Sequence, residues 1–373
     1  MDKLFEGIKV IDCSRVFSGP FCSRFFSDYG AEVIKIETPD FCDESRRFYP
    51  IKNGKSGYFE VLNRGKKSRN IDIKTREGLD EFYILIKEAD IFIENFSPGV
   101  KKRLKIDYET LSQINPRLIY GSVNGYGENW DKKAYDVIIQ AESGIASFNG
   151  EDKPIKNATA MIDAFSGNSL ALGIASLLYK REKTGKGDFV NVSMISCGFQ
   201  LLKQNIIATS ITGLNPDFPG NQDTSIFPFG FYKTQDGNIA IAIGNDISWE
   251  KFCENIIPEI AGRFHSNSER MMAKEHLVKN MEYIFDSYKT DALIKKLEEL
   301  GIPCGKIASM TDLIDTPKFF EENYLKKMSH PELGEIVVPY EFVHFQKYKI
   351  EDLQTAPDIE KKGDISKTSL SQG

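Results

Sequence analysis

The sequence predicts an α/β fold built on a mostly parallel sheet, and two observations carry that prediction. Short apolar runs alternate with amphipathic stretches of helical length from the N-terminus onward, which is the signature of strands joined by crossover helices. Pro and Gly stand where such helices would begin and end. Residues 8–13 (IKVIDC) form the first run and residues 31–37 (AEVIKIE) the second, with Pro20 near the start and Gly30 at the end of the stretch between them. The chain therefore opens β-α-β. An amphipathic helix over 78–89 leads into the strand-like 90–94 (DIFIE), and a helix over 108–114 leads into 117–123 (RLIYGSV). The first 125 residues thus read as a doubly wound domain.

Residues 134–150 read as helical and then turning, and 161–180 as a long helix too apolar to lie on a surface. The turn signal at 184–187 (TGKG) precedes an alternating strand over 188–195 (DFVNVSMI). Past Gly213 the texture changes: Pro216, Pro219, Gly220 and Pro228 mark a loop, and a strand over 238–243 with amphipathic helices to about Gly301 suggests a smaller α+β unit. Residues 335–339 (EIVVP) read as a late strand, and the last dozen, with Lys361 and Lys362, as a frayed tail.

A length of 373 residues fits about two domains, and 41% apolar with 27% charged residues suits a chain with a core and a wettable surface. Acidic residues outnumber Lys+Arg by 54 to 48, with the two signs interspersed, so no basic footprint invites nucleic acid. The four histidines, His265, His276, His330 and His344, all lie in the last third. Chemistry in the first two thirds must run without imidazole, which argues against a Ser-His or Cys-His hydrolase and a His-rich metal site there. Six scattered cysteines without metal-type spacing read as free thiols in a reducing compartment. No basic-then-apolar leader opens the chain and no unbroken run of about 18 apolar residues occurs, so the expectation is a cytoplasmic protein without a membrane partner.

Doubly wound folds bind ligands beyond the C-terminal ends of their strands. The turn after the first strand, 13–20 (CSRVFSGP), has one glycine where a dinucleotide fingerprint needs three, and Glu37 at the end of the second strand is commonplace, so a nicotinamide site is not expected. Asp163 stands at the apparent entrance of the long apolar helix. There it either simply caps the helix or serves as a carboxylate kept ionised by backbone N–H groups and the helix dipole. Gly167 and Asn168 just after it would let a ligand approach. The stretch 95–99 (NFSPG), followed by Lys101, Lys102 and Arg103, either holds a phosphate or presents a solvated helix face. With Lys66, Lys67 and Arg69 it could form a polyanion site.

Further segments fall in a familiar order: 8–12 (IKVID), 18–20 (SGP), 30–37 (GAEVIKIE), 63–68 (NRGKKS), 94–99 (ENFSPG), 115–119 (NPRLI), 122–127 (SVNGYG), Tyr135 with Asp136, Asp163, 183–187 (KTGKG), 244–246 (GND), Trp249 and 301–305 (GIPCG). In them the chain resembles, over nearly its whole length, the class III CoA-transferases. This is the family of formyl-CoA, carnitine and bile-acid CoA-transferases, to which α-methylacyl-CoA racemases are related.

The resemblance implies a Rossmann-like large domain assembled from both chain ends (1–200 and 320–373), an inserted small α+β domain (225–308) and linkers at 201–224 and 309–319. It also implies ring-shaped subunits interlocked as an obligate homodimer. The family's nucleophilic aspartate falls on Asp163, which would exchange CoA between an acyl-CoA and a carboxylic acid through aspartyl anhydride and aspartyl-CoA thioester intermediates. Coenzyme A enters as a substrate, and no metal or permanently bound cofactor is required. CoA contacts carry over to Val16, Phe17 and Ser18; to Ile71, Asp72, Ile73 and Lys74; to Asn95, Phe96, Ser97 and Arg103; and to Asn124, Gly125, Tyr126 and Gly127. Tyr135 and Gly220 would border the acyl pocket.

Formyl-CoA transferases differ at Phe17 (Gln), Thr38 (Arg) and Asn124 (Lys), and they carry a run of glycines where 218–222 (FPGNQ) has one. These departures argue against an oxalate or formate specificity, while Phe17, Phe165, Tyr126 and Tyr135 suggest an apolar acyl pocket. The alternative within the fold is a racemase. Relatives of that kind place a histidine where this chain has Tyr135, and a phenol titrating near pH 10 is a poor α-proton base. The alternative from another class is a CoA-binding protein without catalysis, against which Asp163 in its small-residue setting argues.

Overall fold

The computed structural model describes residues 3–150, 152–215, 218–350 and 353–360. The frayed-tail expectation and Pro216 fall outside the described residues. Two compact units form: Met1–Gly144, Asn157–Ile206 and Pro317–Gly373 make the first, and Ile145–Lys156 with Ile207–Thr316 the second.

The first unit is organised by a six-stranded sheet of β1 (Lys9–Asp12), β2 (Glu32–Glu37), β3 (Lys67–Asn70), β4 (Ile91–Glu94), β5 (Ile119–Asn124) and β6 (Phe189–Ser193). Every pairing is parallel and the order is 3-2-1-4-5-6. Strands β1, β2, β4 and β5 are buried almost throughout, as expected of a parallel sheet covered on both faces. Helix α1 (Ser18–Asp28) connects β1 to β2. Helices α2 (Arg76–Glu88), α3 (Pro98–Arg103) and α4 (Tyr108–Ile114) lie on the connections from β3 to β5. Ile11, Phe82, Ile86, Phe92, Leu111 and Tyr120 form the core on one side of the sheet.

After β5 come α5 (Asp136–Glu142) and the long α6 (Met161–Thr184). Helix α6 packs on the sheet and on α1: a Cβ on Gly121 of β5 would stand 2.7 Å from Cδ1 of Ile174, and one on Gly167 would stand 2.6 Å from the Ser18 carbonyl. Gly167 therefore admits helix α1, not a ligand as the sequence suggested. Nor is α6 buried all round. Ile162, Leu170 and Ile174 are buried, whereas Leu172 is 70% and Tyr179 66% exposed. By length and composition α6 could cross a membrane, but one side packs on the sheet as a core helix does.

The chain's late residues return to this unit. The hairpin of β10 (Leu325–His330) and β11 (Gly334–Pro339) is followed by a segment whose Val343 carbonyl accepts from the Tyr29 hydroxyl. The buried Arg64 guanidinium donates to the Pro339 carbonyl at 2.7 Å and pairs with Asp28 at 2.8 Å. The second unit holds a three-stranded antiparallel sheet of β7 (Phe229–Lys233), β8 (Asn238–Ala242) and β9 (Cys304–Lys306). Helices α7 (Asp246–Ile256), α8 (Lys274–Phe285) and α9 (Thr290–Glu299) share its core through Tyr232, Ile239, Trp249, Phe285 and Leu293.

Candidate active site

Strands β1 and β4 lie side by side in the sheet, and the chain leaves them in opposite lateral directions. This is the topological switch point, where a crevice opens beyond the strand ends. A cavity of about 410 Å³ occurs there, bordered by residues 15–18 after β1, 95–98 after β4 and 123–125 at the end of β5. Ala134, Tyr135, Asp163, Met194, Phe41, Trp130, Lys132 and Lys133 also line it.

The β1–α1 turn is held from two directions. Asn95 accepts from the Arg15 N–H at 2.9 Å and donates to the Arg15 carbonyl at 2.7 Å. Val16 has φ +65°, a left-handed conformation that costs a β-branched residue about 1–3 kcal/mol, and its N–H is taken by Asp43 at 3.1 Å. Below the turn lies a buried charge cluster. Asp12 accepts from the Ser14 N–H at 2.8 Å, the Ser23 hydroxyl at 2.6 Å and the Lys66 ammonium at 3.0 Å, while Lys35 reaches the Ser14 carbonyl at 2.7 Å. Burial alone would raise the Asp12 carboxyl. Lys66, Lys35 and the two serine hydroxyls reverse that and hold it well below the ordinary carboxylate range.

Asp163 sits in the first turn of α6 and is not its cap, because Ala160 holds the N-cap position. The helix's free N–H groups are taken instead by Asp136, which accepts from Ile162 at 3.0 Å and from Asp163 at 3.3 Å. Asp136 is buried and held by Gln140, which also accepts from the Asn157 N–H at 2.9 Å. Burial first, and the charge of Asp136 second, push the Asp163 carboxyl up to about 7 against the pull of the Ser18 hydroxyl. The expectation of a carboxylate fully ionised at neutral pH is thereby corrected: the donors that would have kept it so serve Asp136. Asp163 in turn contributes, after burial, to raising Tyr58 to about 12. Tyr58 stands edge-on to Phe17 with ring centroids 6.0 Å apart, so an aromatic wall adjoins the carboxylate.

Replacing Asp136 by Asn retains one acceptor oxygen for the helix end and removes the charge. The Asp163 pKa is then expected to fall, moving the acid limb of the kcat/KM profile to lower pH by about one unit. An unshifted limb in the folded variant would refute the coupling.

Of the positions carried over for CoA, the cavity is lined by Val16, Phe17, Ser18, Asn95, Phe96, Ser97, Arg103, Asn124 and Gly125, together with Tyr135. Ile71, Asp72, Ile73 and Lys74 do not line it. They follow the edge strand β3, and Lys74 touches the cavity wall indirectly, its ammonium 3.6 Å from the centroid of Phe41, whose ring also lies 3.6 Å from the Arg15 guanidinium. Tyr126 and Gly127 also lie outside the lining. Tyr126 donates to Glu142 at 2.6 Å and packs on Trp130, while Gly127 donates to Asn124. Phe165 is likewise not a lining residue. Gly220 belongs to the second unit, at φ +57° in the loop beside its sheet.

The basic stretch divides residue by residue. Lys101 is buried between Glu94 and Glu128, whereas Arg103 is exposed at the cavity and makes no ion pair among the described residues. Lys66, Lys67 and Arg69 pair with Asp12, Glu32 and Glu81 respectively, so the polyanion site they suggested does not assemble. The cation missed from the sequence is Lys133, also exposed, lining the cavity and unpaired among the described residues. Its signal was a Lys-Lys pair one residue short of Tyr135, with Lys132 spent on Glu142 at 2.6 Å.

A six-stranded parallel sheet in this order, with a cavity at its switch point whose lining includes a carboxylate and exposed cations, defines a doubly wound α/β protein. The chain belongs to CoA-transferase family III, whose model matches residues 5–362. An acetyl-CoA:oxalate CoA-transferase of Acetobacter aceti is 35% identical over 332 residues, covering 87% of this chain and 85% of that one. A human succinyl-CoA:glutarate CoA-transferase is 31% identical over 365 residues, covering 95% and 83%. A CAIB/BAIF family protein from Brucella suis superposes with TM-score 0.83 at 31% identity, covering 96% of this chain and 97% of its own. The chain is thus an enzyme of the CoA-transferase class that uses CoA thioesters as substrates.

Proposed function

We propose that Asp163 is the nucleophile of the transfer. The observation that carries this is a carboxylate on the wall of the switch-point cavity, held near pKa 7, so that a substantial fraction is ionised at neutral pH. Its oxygen attacks the thioester carbonyl of the donor, the C–S bond breaks, and CoA thiolate leaves a mixed anhydride. The thiolate attacks the aspartyl carbonyl, releasing the donor acid as a carboxylate and leaving an aspartyl-CoA thioester. The acceptor carboxylate then repeats the two steps in reverse, regenerating Asp163 and the new acyl-CoA. Arg103 and Lys133 offer their charges to the CoA phosphates, and Asn124 and Gly125 border the thioester end.

Phe17 and Tyr135 give the acyl end an apolar wall, while the two relatives named above are transferases for oxalate and glutarate. Pairing acetyl- and succinyl-CoA with each of those acids and with an aromatic monocarboxylate decides which are exchanged. The first unit is proposed as the CoA-binding large domain, the second as the inserted small domain, in an interlocked cytoplasmic homodimer. Apolar surface left uncovered in the single chain supports the dimer: helix Lys203–Thr212 buries no side chain, and Ile211 stands 78% exposed.

Hydroxylamine treatment after incubation with acyl-CoA is expected to yield a hydroxamate mapped to Asp163 by peptide mass. A hydroxamate at another acidic residue, or none, overturns the assignment. Folded monomers on dilution overturn the interlocked dimer.

A further inference from the structure

The 124–127 loop carries Asn124 and Gly125 into the cavity, and what fixes it lies outside the lining. One carboxylate oxygen, Oε1 of Glu128, collects the Lys101 ammonium at 2.7 Å, the Asn124 amide at 2.8 Å and the Asn191 amide at 3.0 Å, with the Ser122 hydroxyl at 3.5 Å. These donors come from α3, from two positions of β5 and from the neighbouring β6, so one side chain ties a helix and two strand ends together. Asn124 is engaged at both ends of its amide, since its Oδ1 also accepts from the Gly127 N–H at 2.6 Å. Lys101 is equally committed: it is buried and reaches Glu94 at 3.3 Å and Ser122 at 3.2 Å as well as Glu128. Lys101 thus spends its three N–H donors within this cluster, whereas the Asn124 amide keeps a second N–H for the cavity.

From this arrangement we infer that Glu128 is a positioning residue for CoA binding, acting through Asn124 and Lys101 to hold the loop in its cavity-lining conformation. The inference rests on the reading of the cavity as the CoA site and adds to it a residue that touches no substrate. Loss of the carboxylate frees Asn124 and leaves Lys101 with Glu94, itself raised by burial against the pull of Lys101. The loop then samples conformations in which Asn124 and Gly125 no longer meet the ligand, and binding must select the competent fraction.

Glu128→Ala is expected to raise the KM for acyl-CoA about tenfold and to change kcat less than threefold, because the nucleophile stays in place. Glu128→Gln retains an acceptor oxygen for Lys101 and the amides, and is expected to restore the KM to within about threefold of wild type. Asn191 lies outside the cavity, so Asn191→Ala should weaken CoA binding in the wild-type background and not in Glu128→Ala, a non-additivity readable by calorimetric titration with CoA. A KM unchanged in Glu128→Ala, a Gln variant as impaired as the Ala one, or an Asn191 effect independent of residue 128 would each overturn the tether. Failure of the wild type to bind CoA would overturn the cavity assignment with it, which separates the two failures.

Discussion

Replacing Asp163 by Asn is expected to lower CoA transfer by at least about 10³-fold while CoA still binds, since covalent catalysis disappears and the phosphate contacts remain. The substitution keeps the size of the side chain, so the packing of α6 on α1 through Gly167 is undisturbed. Stopped turnover with an unchanged CoA dissociation constant is the predicted pair of readings. Transfer within tenfold of wild type would place the nucleophile elsewhere.

The same residue sets two pH dependences with opposite consequences. With Asp163 raised to about 7, kcat/KM should rise with pH through that value as the carboxylate ionises. Stability runs the other way. Between the unfolded carboxylate value near 4 and the folded value, the unfolded chain has released a proton that the folded chain retains, so stability falls as pH rises through that window. The Asn variant escapes this and should melt about 3–8 °C above wild type at pH 8, with the difference gone by pH 4. Equal melting temperatures at pH 8 would mean that the folded structure accommodates the charge without cost.

How far the sequence reveals this site depends on whether the determining contact is local. Strands β1, β2, β4 and β5 are apolar runs and legible as such. Edge strand β3 reads KSRN, without an apolar run, and exists by its parallel pairing with β2. Its basic residues therefore suggested a ligand site where the fold has ion pairs. Lys101 and Arg103 are two positions apart on one helix, about 200° around its axis. One points into the unit and the other into the cavity, and composition does not distinguish them. Asp163 was legible as an acid at a helix start, yet its protonation is set first by burial and then by Asp136, which is distant in sequence and takes the N–H groups that a local reading gives to Asp163. The switch-point cavity itself follows from strand order, which no single segment encodes.

A second large effect is expected at Asp12, at the end of β1 and outside the cavity lining. Asp12→Asn keeps the shape and removes the negative charge facing two buried ammonium groups. Lys66, already drawn down to about 8 by burial against the pull of Asp12, then has no carboxylate in contact, and Lys35 is left with Asp43 at 3.0 Å. Breaking one partner out of a buried pair costs about 3–5 kcal/mol, a large share of the total stability of a domain. The loss also reaches function, because Asp12 orders Ser14 and Lys35 grips the Ser14 carbonyl, two residues before the strained Val16. Adding Lys66→Met should recover part of the stability, since it removes the unpaired charge that Asp12→Asn leaves behind. The sign of the pH effect follows from the depressed carboxyl: its contribution is complete above the unfolded value near 4 and drains away as pH falls below it, so the gap between wild type and Asp12→Asn should narrow in acid. Denaturant midpoints measured from pH 7 down to pH 3 test both claims. A loss under 1 kcal/mol at pH 7, or a gap that widens in acid, would show that the Asp12 cluster does not anchor the turn.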